Sequence, residues 1–403
     1  MKIALIRAKY NPFGGAERFV QSAVAALADE GVSMTVLTRE WPVQDVARTG
    51  AAIDHVVLNP RYFTSTGRDK RFAEAVHAHL VDTHYDLVQS HERIVGCDVF
   101  RAGDGVHAEW LAQRRRVTSG FKQMGMVLNP HHRYLLATER AMFTSPKLRA
   151  VICNSQMVKA DIERHFDIDA TKLRVIMSGV DSTTFHPGLR GIHRAETRKT
   201  LRIPKGAPVA LFVGSGFERK GLIGFLMGLA EQDGHGRLTR ESVRGIVVGH
   251  DKHLVRFQSF ADQLGLSDRV NFVGGVDDVK PYYAAADVFV LPTLYDPLPN
   301  ACLEAMACGL PTITSHRSGA AELITNGVEG FVVDALDTPA IADAISAALD
   351  SAMADNQMGL NAAKRVASLT PRSMAADYVT LYRELLGRPT QARLQSAPLG
   401  HVN

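Results

Sequence analysis

The chain has 403 residues, a formal net charge of +4 and 46% hydrophobic residues. This length predicts two or three domains, and so mild a charge gives no argument for nucleic acid. No apolar run reaches the ~18 residues of a membrane span, and the start KIALIR lacks the apolar core of a secretory signal. The cysteines lack metal-ligand spacing, which predicts reduced core residues in a cytosolic protein. They are Cys97, Cys153, Cys302 and Cys308.

The first half of the chain alternates short apolar runs with helical stretches. KIALIR (2–7) is a predicted strand, AERFVQSAVAALADEG (16–31) an amphipathic helix and SMTVLTR (33–39) the next strand. Further strands are predicted to begin at 52, 85, 98, 150 and 173, with a helix over 156–166. This β–α–β order predicts a parallel, doubly wound domain over residues 1–182.

Residues 183–206 are rich in Gly, Pro, Arg and His and are the predicted linker. Over 207–371 the pattern restarts, with strands beginning at 208, 244, 270, 286 and 311. A helix over 372–387 is expected to pack back on the N-terminal domain, and 388–403 form a predicted disordered tail. The α/β fold is thus two Rossmann-like domains facing across a cleft, and ligands should bind at turns that follow strands.

The turn after the first strand reads KYNPFGGAER. Gly14 and Gly15 allow a ligand to approach the backbone where a helix opens. The pattern is not GxGxxG, so it does not indicate a nicotinamide cofactor. A plain strand-to-helix turn is the alternative.

The turn GSGFERKGL (214–222) opens the second half. Gly216 is followed by Arg219 and Lys220, two adjacent cations that suit a diphosphate. The turn lacks the GKS/T ending of a P-loop, so ATP hydrolysis is not indicated. A solvated basic turn is the alternative.

The stretch LYDPLPNACLEAMACGLP (294–311) is a turn and a helix that Asn300 is predicted to cap and Gly309 to end. The helix N-terminus attracts anions, so Asp296 just before it is expected to accept hydrogen bonds from sugar hydroxyls. Glu304, one turn into the helix, suits the two hydroxyls of a ribose. A diphosphate between two polyols describes a nucleotide sugar, and a capped helix with a surface glutamate is the alternative.

Asp296 and Glu304 stand as D-x7-E, followed by AMACGLPTITS. This resembles the E-x7-E signature of the retaining glycosyltransferases of family four, which have the two-domain GT-B fold. NPFGGAER, GSGFERKG and AADVFVLPT match that family in the same order. KYNPFGG, GRDKRFAEAVHAHL, AGDGVHAEWLAQ and GSGFERKG are most similar to its lipopolysaccharide core glucosyltransferases. The resemblance implies transfer of a hexose, glucose, from a UDP-sugar to a lipopolysaccharide core or related glycolipid acceptor.

The resemblance also implies roles for single residues. Asp104 would orient the acceptor or assist its deprotonation, with His91 and His107 as further acceptor-site candidates and a structural histidine as the alternative for His91. Asp104, Arg219, Lys220 and Asp296 form the implied catalytic set. The implied donor-binding set comprises Gly14, Gly15, Gly216, Arg219, Lys220, Asp296, Leu298, Asn300 and Glu304.

Three positions depart from the family pattern. Asp296 replaces its first glutamate, and Pro297 and Pro299 replace loop glycines, which removes two N–H donors. The donor's sugar and base therefore stay open. No DxD-type cluster lies at a suitable strand end, and we interpret Asp277 and Asp278 as a helix cap. No metal and no cofactor beyond the donor substrate is expected, and the resemblance implies retention by front-face attack.

Residues 107–143 combine aromatic and apolar residues with five basic residues, Arg114, Arg115, Arg116, Lys122 and Arg133. Such a stretch predicts binding to an anionic membrane surface, on the inner face of the cytoplasmic membrane. An ordinary helical insertion is the alternative, and no nucleic-acid partner is expected. Three functional alternatives stay open: a GDP-mannose-dependent or other family-four transferase for capsule or glycolipid, a UDP-sugar epimerase on the same fold, and a non-enzymatic binding scaffold.

Overall fold

The computed structural model of the chain describes residues 1–8, 27–28, 30–40, 54–232 and 243–389. Its N-terminal sheet contains β1 (Lys2–Ile6), β2 (Ser33–Thr38), β3 (Asp54–Val57), β4 (Leu87–Ser90), β5 (Val99–Arg101), β6 (Ala150–Cys153) and β7 (Leu173–Val175). Its C-terminal sheet contains β8 (Val209–Val213), β9 (Arg244–Val248), β10 (Val270–Gly274), β11 (Val288–Leu291), β12 (Thr312–Ser315) and β13 (Gly330–Val333).

Helices connect these strands in both halves. The first half contains α1 (Ser65–Asp82), α2 (His107–Arg115), α3 (Gly120–Leu128), α4 (Pro130–Phe143) and α5 (Gln156–His165). The second contains α6 (Leu189–Thr200), α7 (Phe217–Lys220), α8 (Leu222–Glu231), α9 (Leu254–Gln263), α10 (Lys280–Ala285), α11 (Asn300–Ala307), α12 (Thr338–Met353), α13 (Gln357–Val366) and α14 (Pro371–Leu385).

Both sheets are parallel and doubly wound. The strand orders are β3-β2-β1-β4-β5-β6-β7 and β10-β9-β8-β11-β12-β13. Neighbouring residues of β1 pack into cores on opposite faces, Ile3 and Leu5 on one and Ala4 and Ile6 on the other. Burial on both faces explains why the strands read as continuous apolar runs. The predicted fold class is confirmed. The sequence analysis did not predict β13, and most of the predicted helix 16–31 lies outside the described residues.

The C-terminal helix α14 packs on the N-terminal sheet. Its tyrosines reach polar side chains of that sheet: the Tyr382 hydroxyl donates to Gln89 Oε1 at 2.7 Å, and Arg101 Nε donates to the Tyr378 hydroxyl at 3.1 Å. The chain therefore crosses back after completing the C-terminal sheet. Residues 390–403 of the predicted tail lie outside the described residues.

A buried carboxylate ties the predicted linker to the C-terminal sheet. Helix α6 lies within residues 183–206 and carries Arg190, Arg194 and Arg198 at four-residue spacing, so all three face one side. Their guanidinium groups reach the Asp287 carboxylate at 2.9, 2.7 and 2.6 Å. Burial raises the pKa of Asp287, but the three arginines outweigh burial and lower it below its usual value.

Asp287→Asn should destabilise the chain, because it leaves the guanidinium cluster without its buried anion. Breaking a buried ion pair from one side costs about 3–5 kcal/mol in the free energy of unfolding. Since the folded pKa of Asp287 is lowered, its stabilisation is present at neutral pH and is lost as the pH falls through the folded value, below 3.8. Urea denaturation at pH 7, and again over pH 5 to 2.5, measures both effects.

Asp350→Asn is the matched control, because Asp350 is an exposed carboxylate on α12. It should leave the urea midpoint at pH 7 unchanged. An Asp287→Asn midpoint equal to that of the wild type would contradict the proposed anchoring.

Candidate active site

A buried tyrosine in the loop after β11 joins the two halves of the chain. Tyr295 is fully buried, and its hydroxyl accepts from the Val106 N–H at 3.0 Å and donates to Asp161 Oδ2 at 3.0 Å. Burial, reinforced by the Asp161 carboxylate, raises the pKa of Tyr295 above its usual range, so the hydroxyl keeps its proton. Gly105 has φ +69°, and a Cβ there would overlap the Tyr295 hydroxyl. The contact therefore requires glycine at this position.

An ion-pair cluster surrounds this tyrosine. Arg317, two residues after β12, lies over the Tyr295 ring at 5.5 Å and pairs with Asp161 at 3.0 Å and Glu109 at 2.8 Å. Glu109 is also 3.1 Å from His165 Nε2. Because Arg317 follows a strand of the C-terminal sheet and both acids lie on helices of the N-terminal half, the cluster fixes the two halves against each other at the site.

The two predicted diphosphate cations lie beside this loop. Gly216, at φ +77°, is the N-cap of α7, which carries Arg219 and Lys220. Arg219 Nε donates to the Tyr295 carbonyl at 2.8 Å, and its guanidinium lies 5.8 Å from the centre of the Trp110 ring. Arg219 is therefore held from both sides of the cleft.

Lys220 forms an ion pair with Asp296. Asp296 is buried, and its N–H donates to the Arg317 carbonyl at 2.9 Å. The structure thus brings together Arg219, Lys220 and Asp296, three of the four predicted catalytic residues. The contact between Asp296 and Lys220 was not predicted.

The N-terminus of α11 differs from the predicted one. Pro299, not Asn300, is the N-cap of α11, and no side chain caps it, because Asn300 is already the first helical residue. The helix ends before Gly309, at φ +75°, as predicted. Leu298 packs into the core, so only its backbone can face a ligand.

Glu304 is not a surface residue. Its side chain is buried, and it accepts a hydrogen bond from the Tyr283 hydroxyl at 2.8 Å. The alternative of a capped helix with a surface glutamate is therefore wrong. The Tyr283 hydroxyl therefore holds one carboxylate oxygen of Glu304 in a fixed position.

Asp104, the fourth predicted catalytic residue, follows β5 and lines a cavity of about 440 Å³ in the N-terminal half. Burial raises the pKa of Asp104, but Arg7, Arg219, Arg93 and Arg101 outweigh burial and lower it. Asp104 is therefore a carboxylate at neutral pH. The adjacent Gly105 lies against the Tyr295 hydroxyl, which places Asp104 near the contact between the two halves.

The two predicted histidines are not among the described residues that line this cavity. His91 is buried, with Nε2 3.0 Å from Gln89 Nε2, and burial followed by Arg101 and Arg7 lowers its pKa well below the usual value. His107 Nε2 lies 3.1 Å from His132 Nδ1, and burial is the main cause that lowers the pKa of His107 to about 3. Both rings are neutral at physiological pH.

Gly14 and Gly15 lie outside the described residues. Among the described residues, no group of His, Cys, Asp or Glu has the arrangement of a metal site.

Sequence reasoning missed five residues of the site: Trp110, Glu109, Asp161, Tyr295 and Arg317. Two carried a usable signal, because Tyr295 adjoins Asp296 and Arg317 follows a predicted strand, where ligand-facing turns are expected. The other three lie on helices of the N-terminal half, and nothing in their local pattern indicates a partner more than a hundred residues away.

Comparison with known proteins agrees with this architecture. Residues 13–184 match the model "Glycosyltransferase Family 4", and residues 193–365 match "Glycosyl transferases group 1". The lipopolysaccharide glucosyltransferase WaaG of Escherichia coli K12 is 28% identical over 83% of this chain and 85% of its own. A D-inositol 3-phosphate glycosyltransferase of Catenulispora acidiphila is 26% identical over 92% of this chain and 90% of its own.

Solved structures show the same fold. A crystal structure of WaaG superposes with a TM-score of 0.78 at 24% identity, covering 94% of this chain and 99% of that one. HepE of Anabaena, solved with UDP-glucose, superposes with a TM-score of 0.72 at 18% identity, covering 96% and 99%. The chain belongs to the glycosyltransferases, with a family 4 domain followed by a group 1 domain.

Proposed function

We propose that this glycosyltransferase moves a hexose, glucose, from UDP-glucose to a lipopolysaccharide core or related glycolipid acceptor. The observation that carries the proposal is the grouping of Arg219, Lys220 and Asp296 beside the mouth of α11, with Glu304 oriented one turn further in. In this proposal Arg219 and Lys220 bind the diphosphate, while Asp296 and Glu304 accept hydrogen bonds from sugar hydroxyls. The choice of glucose and acceptor rests on the similarity to the lipopolysaccharide glucosyltransferase.

The proposed mechanism is electrostatic. As the bond from the anomeric carbon to the phosphate breaks, the diphosphate gains negative charge, which Arg219, Lys220 and the helix N-terminus would stabilise. Arg219 is already held by the Tyr295 carbonyl and the Trp110 ring, so little reorganisation is needed. We propose that these cations do this without a metal ion, that retention follows from front-face attack, and that the leaving phosphate takes the acceptor proton.

Lys220→Gln should lower kcat by about 10²–10³, the typical cost of removing one preorganised charge-stabilising donor. Glutamine keeps a hydrogen-bonding group beside Asp296 but removes the positive charge. UDP release from UDP-glucose, with lipopolysaccharide truncated at the inner core as acceptor, measures the rate. Glu304→Ala should abolish turnover, because the ribose loses its acceptor. Its melting temperature should fall, because a buried side chain bonded to the Tyr283 hydroxyl is removed, but circular dichroism at the assay temperature should show a folded chain.

Lys205→Gln, at an exposed lysine before β8, is the control and should keep the wild-type kcat. An unchanged kcat in Lys220→Gln would remove the diphosphate assignment.

UDP-glucose incubated alone should yield no UDP-galactose, and an isomeric product would favour an epimerase instead. Thermal shifts with UDP-glucose, UDP-galactose, UDP-GlcNAc and GDP-mannose should be largest for UDP-glucose, and a larger shift with GDP-mannose would change the proposed donor.

We further propose that α3 attaches the enzyme to an anionic membrane surface. Phe121, Met124 and Leu128 have i, i+3, i+7 spacing and lie on one face, and Phe121 is 91% exposed. Lys122 adds positive charge next to this face. No helix in the part of the chain that the structure describes is long and apolar enough to cross a bilayer. An exposed apolar stripe beside basic side chains suits the headgroup region instead.

Phe121→Ser combined with Leu128→Ser should weaken binding to phosphatidylglycerol vesicles by at least about tenfold. Each large apolar side chain contributes roughly 1.5–3 kcal/mol when it leaves water. Vesicle co-sedimentation measures the loss, and UDP-glucose binding should be unchanged.

Ile192→Ser is the control, because Ile192 is an exposed apolar residue on α6. It should sediment with vesicles like the wild type. Wild-type binding by the double variant would rule out α3 as the attachment surface.

A further inference from the structure

The cavity that Asp104 lines is bordered by several arginines. It lies where β1, β2, β4 and β5 end, because Arg7 and Arg39 directly follow β1 and β2 and Glu92 lies two residues beyond β4. Two helices close its other side, α1 with Arg68 and α4 with His131. Four guanidinium groups border this one space, those of Arg7, Arg39, Arg68 and Arg93.

Three of these arginines pair with acids of the protein. Arg7 lies 3.5 Å from Glu92, Arg68 lies 2.7 Å from Asp69, and Arg93 lies 2.9 Å from Glu139. These contacts account for their charge within the fold.

Arg39 is different. It is only 6% exposed, its Nη2 donates to Asn59 Oδ1 at 2.9 Å, and its guanidinium lies over the Tyr62 ring at 4.6 Å. No carboxylate pairs with it among the described residues, and within that same set its buried Nε has no hydrogen-bond partner. His131 Nδ1, also lining the cavity, is buried without a partner in the described part of the chain.

Arg39 has no counter-charge among the residues that the structure describes, and a guanidinium removed from water without one is energetically unfavourable. An oxyanion in the cavity would supply that charge, because two guanidinium N–H groups match two oxygens of a phosphate or carboxylate. His131 can donate a further hydrogen bond through Nδ1. The interaction with Tyr62 and Asn59 already fixes the direction of the fork, so little side-chain entropy would be lost on binding.

We propose that the Arg39 end of this cavity binds an anionic substituent of the acceptor, a phosphate or a sugar-acid carboxylate. This deepens the proposed function and rests on it. Asp104 lines the same cavity, so an acceptor anchored at Arg39 would present a hydroxyl beside Asp104. Arg39 would then select charged acceptors over neutral sugars of the same shape.

Calorimetric titration of the full chain tests this, with UDP at saturation so that phosphate probes cannot enter the diphosphate site. The probes are glucose 6-phosphate, glucuronate, glucose and inorganic phosphate. At least one of the two charged sugars should bind at least ten times more tightly than glucose and more tightly than inorganic phosphate. Arg39→Gln should lose this preference at least tenfold while its affinity for UDP stays that of the wild type.

Arg71→Gln is the matched control, because Arg71 is exposed on α1 and does not line the cavity. It should bind all probes like the wild type. If Arg39→Gln fails to fold, Arg68→Gln at the cavity wall should show the same loss to a smaller degree. Retained UDP affinity in these variants separates a failure of this inference from a failure of the donor-site assignment.

Several results would overturn the inference. Equal affinity for glucose and for both charged sugars would remove the anionic selectivity, as would a wild-type chain that binds neither charged sugar at 10 mM. Wild-type binding by Arg39→Gln would move the site elsewhere. Inorganic phosphate binding as tightly as the charged sugars would show a site for a free anion rather than for part of an acceptor.

Discussion

The hydroxyl of Tyr295 is the contact on which the geometry of the site depends. It is buried between the two halves of the chain and uses both its acceptor and its donor capacity on the N-terminal half, at Val106 and Asp161. The carbonyl of the same residue accepts from Arg219, and the next residue, Asp296, pairs with Lys220. One residue therefore aligns the loop, both cations and the domain interface. Buried polar contacts of this kind are costly when half satisfied, which favours a single arrangement.

The departures from the family pattern acquire a physical role in this loop. Proline at 297 has no N–H, but its carbonyl accepts from Ser155 Oγ at 2.7 Å across the interface, and Gly319 lies so close that a Cβ would overlap that carbonyl. The loop thus gains rigidity from a contact that does not need the missing donor. The shorter carboxylate of Asp296 reaches Lys220, so this acid also fixes a cation that we assign to the diphosphate.

Strand periodicity predicted the fold. The turns that follow strands identified Arg219, Lys220, Asp296 and Glu304 as candidates for one site. Two elements explain why the rest stayed hidden. The Tyr295–Asp161 hydrogen bond joins residues 134 positions apart, and no local pattern encodes that distance. Asparagine is a favoured N-cap residue, but α11 begins one residue earlier than predicted, with Pro299 as its N-cap. The conformation of the preceding loop, rather than the capping preference of Asn300, therefore sets where this helix begins. The sequence analysis placed Arg39 at the end of a predicted strand and gave no indication that it lines a cavity.

The charge around Asp104 bears on its proposed role. Two roles were predicted from the family resemblance, orienting the acceptor hydroxyl and assisting its deprotonation. Burial alone would raise the pKa of Asp104 and make it a better base, but the surrounding arginines lower that pKa instead. A carboxylate with a lowered pKa is a weak base, yet it still accepts a hydrogen bond well. Orientation is therefore the role that its surroundings favour, which is consistent with the proposed front-face attack, in which the departing phosphate takes the proton of the acceptor.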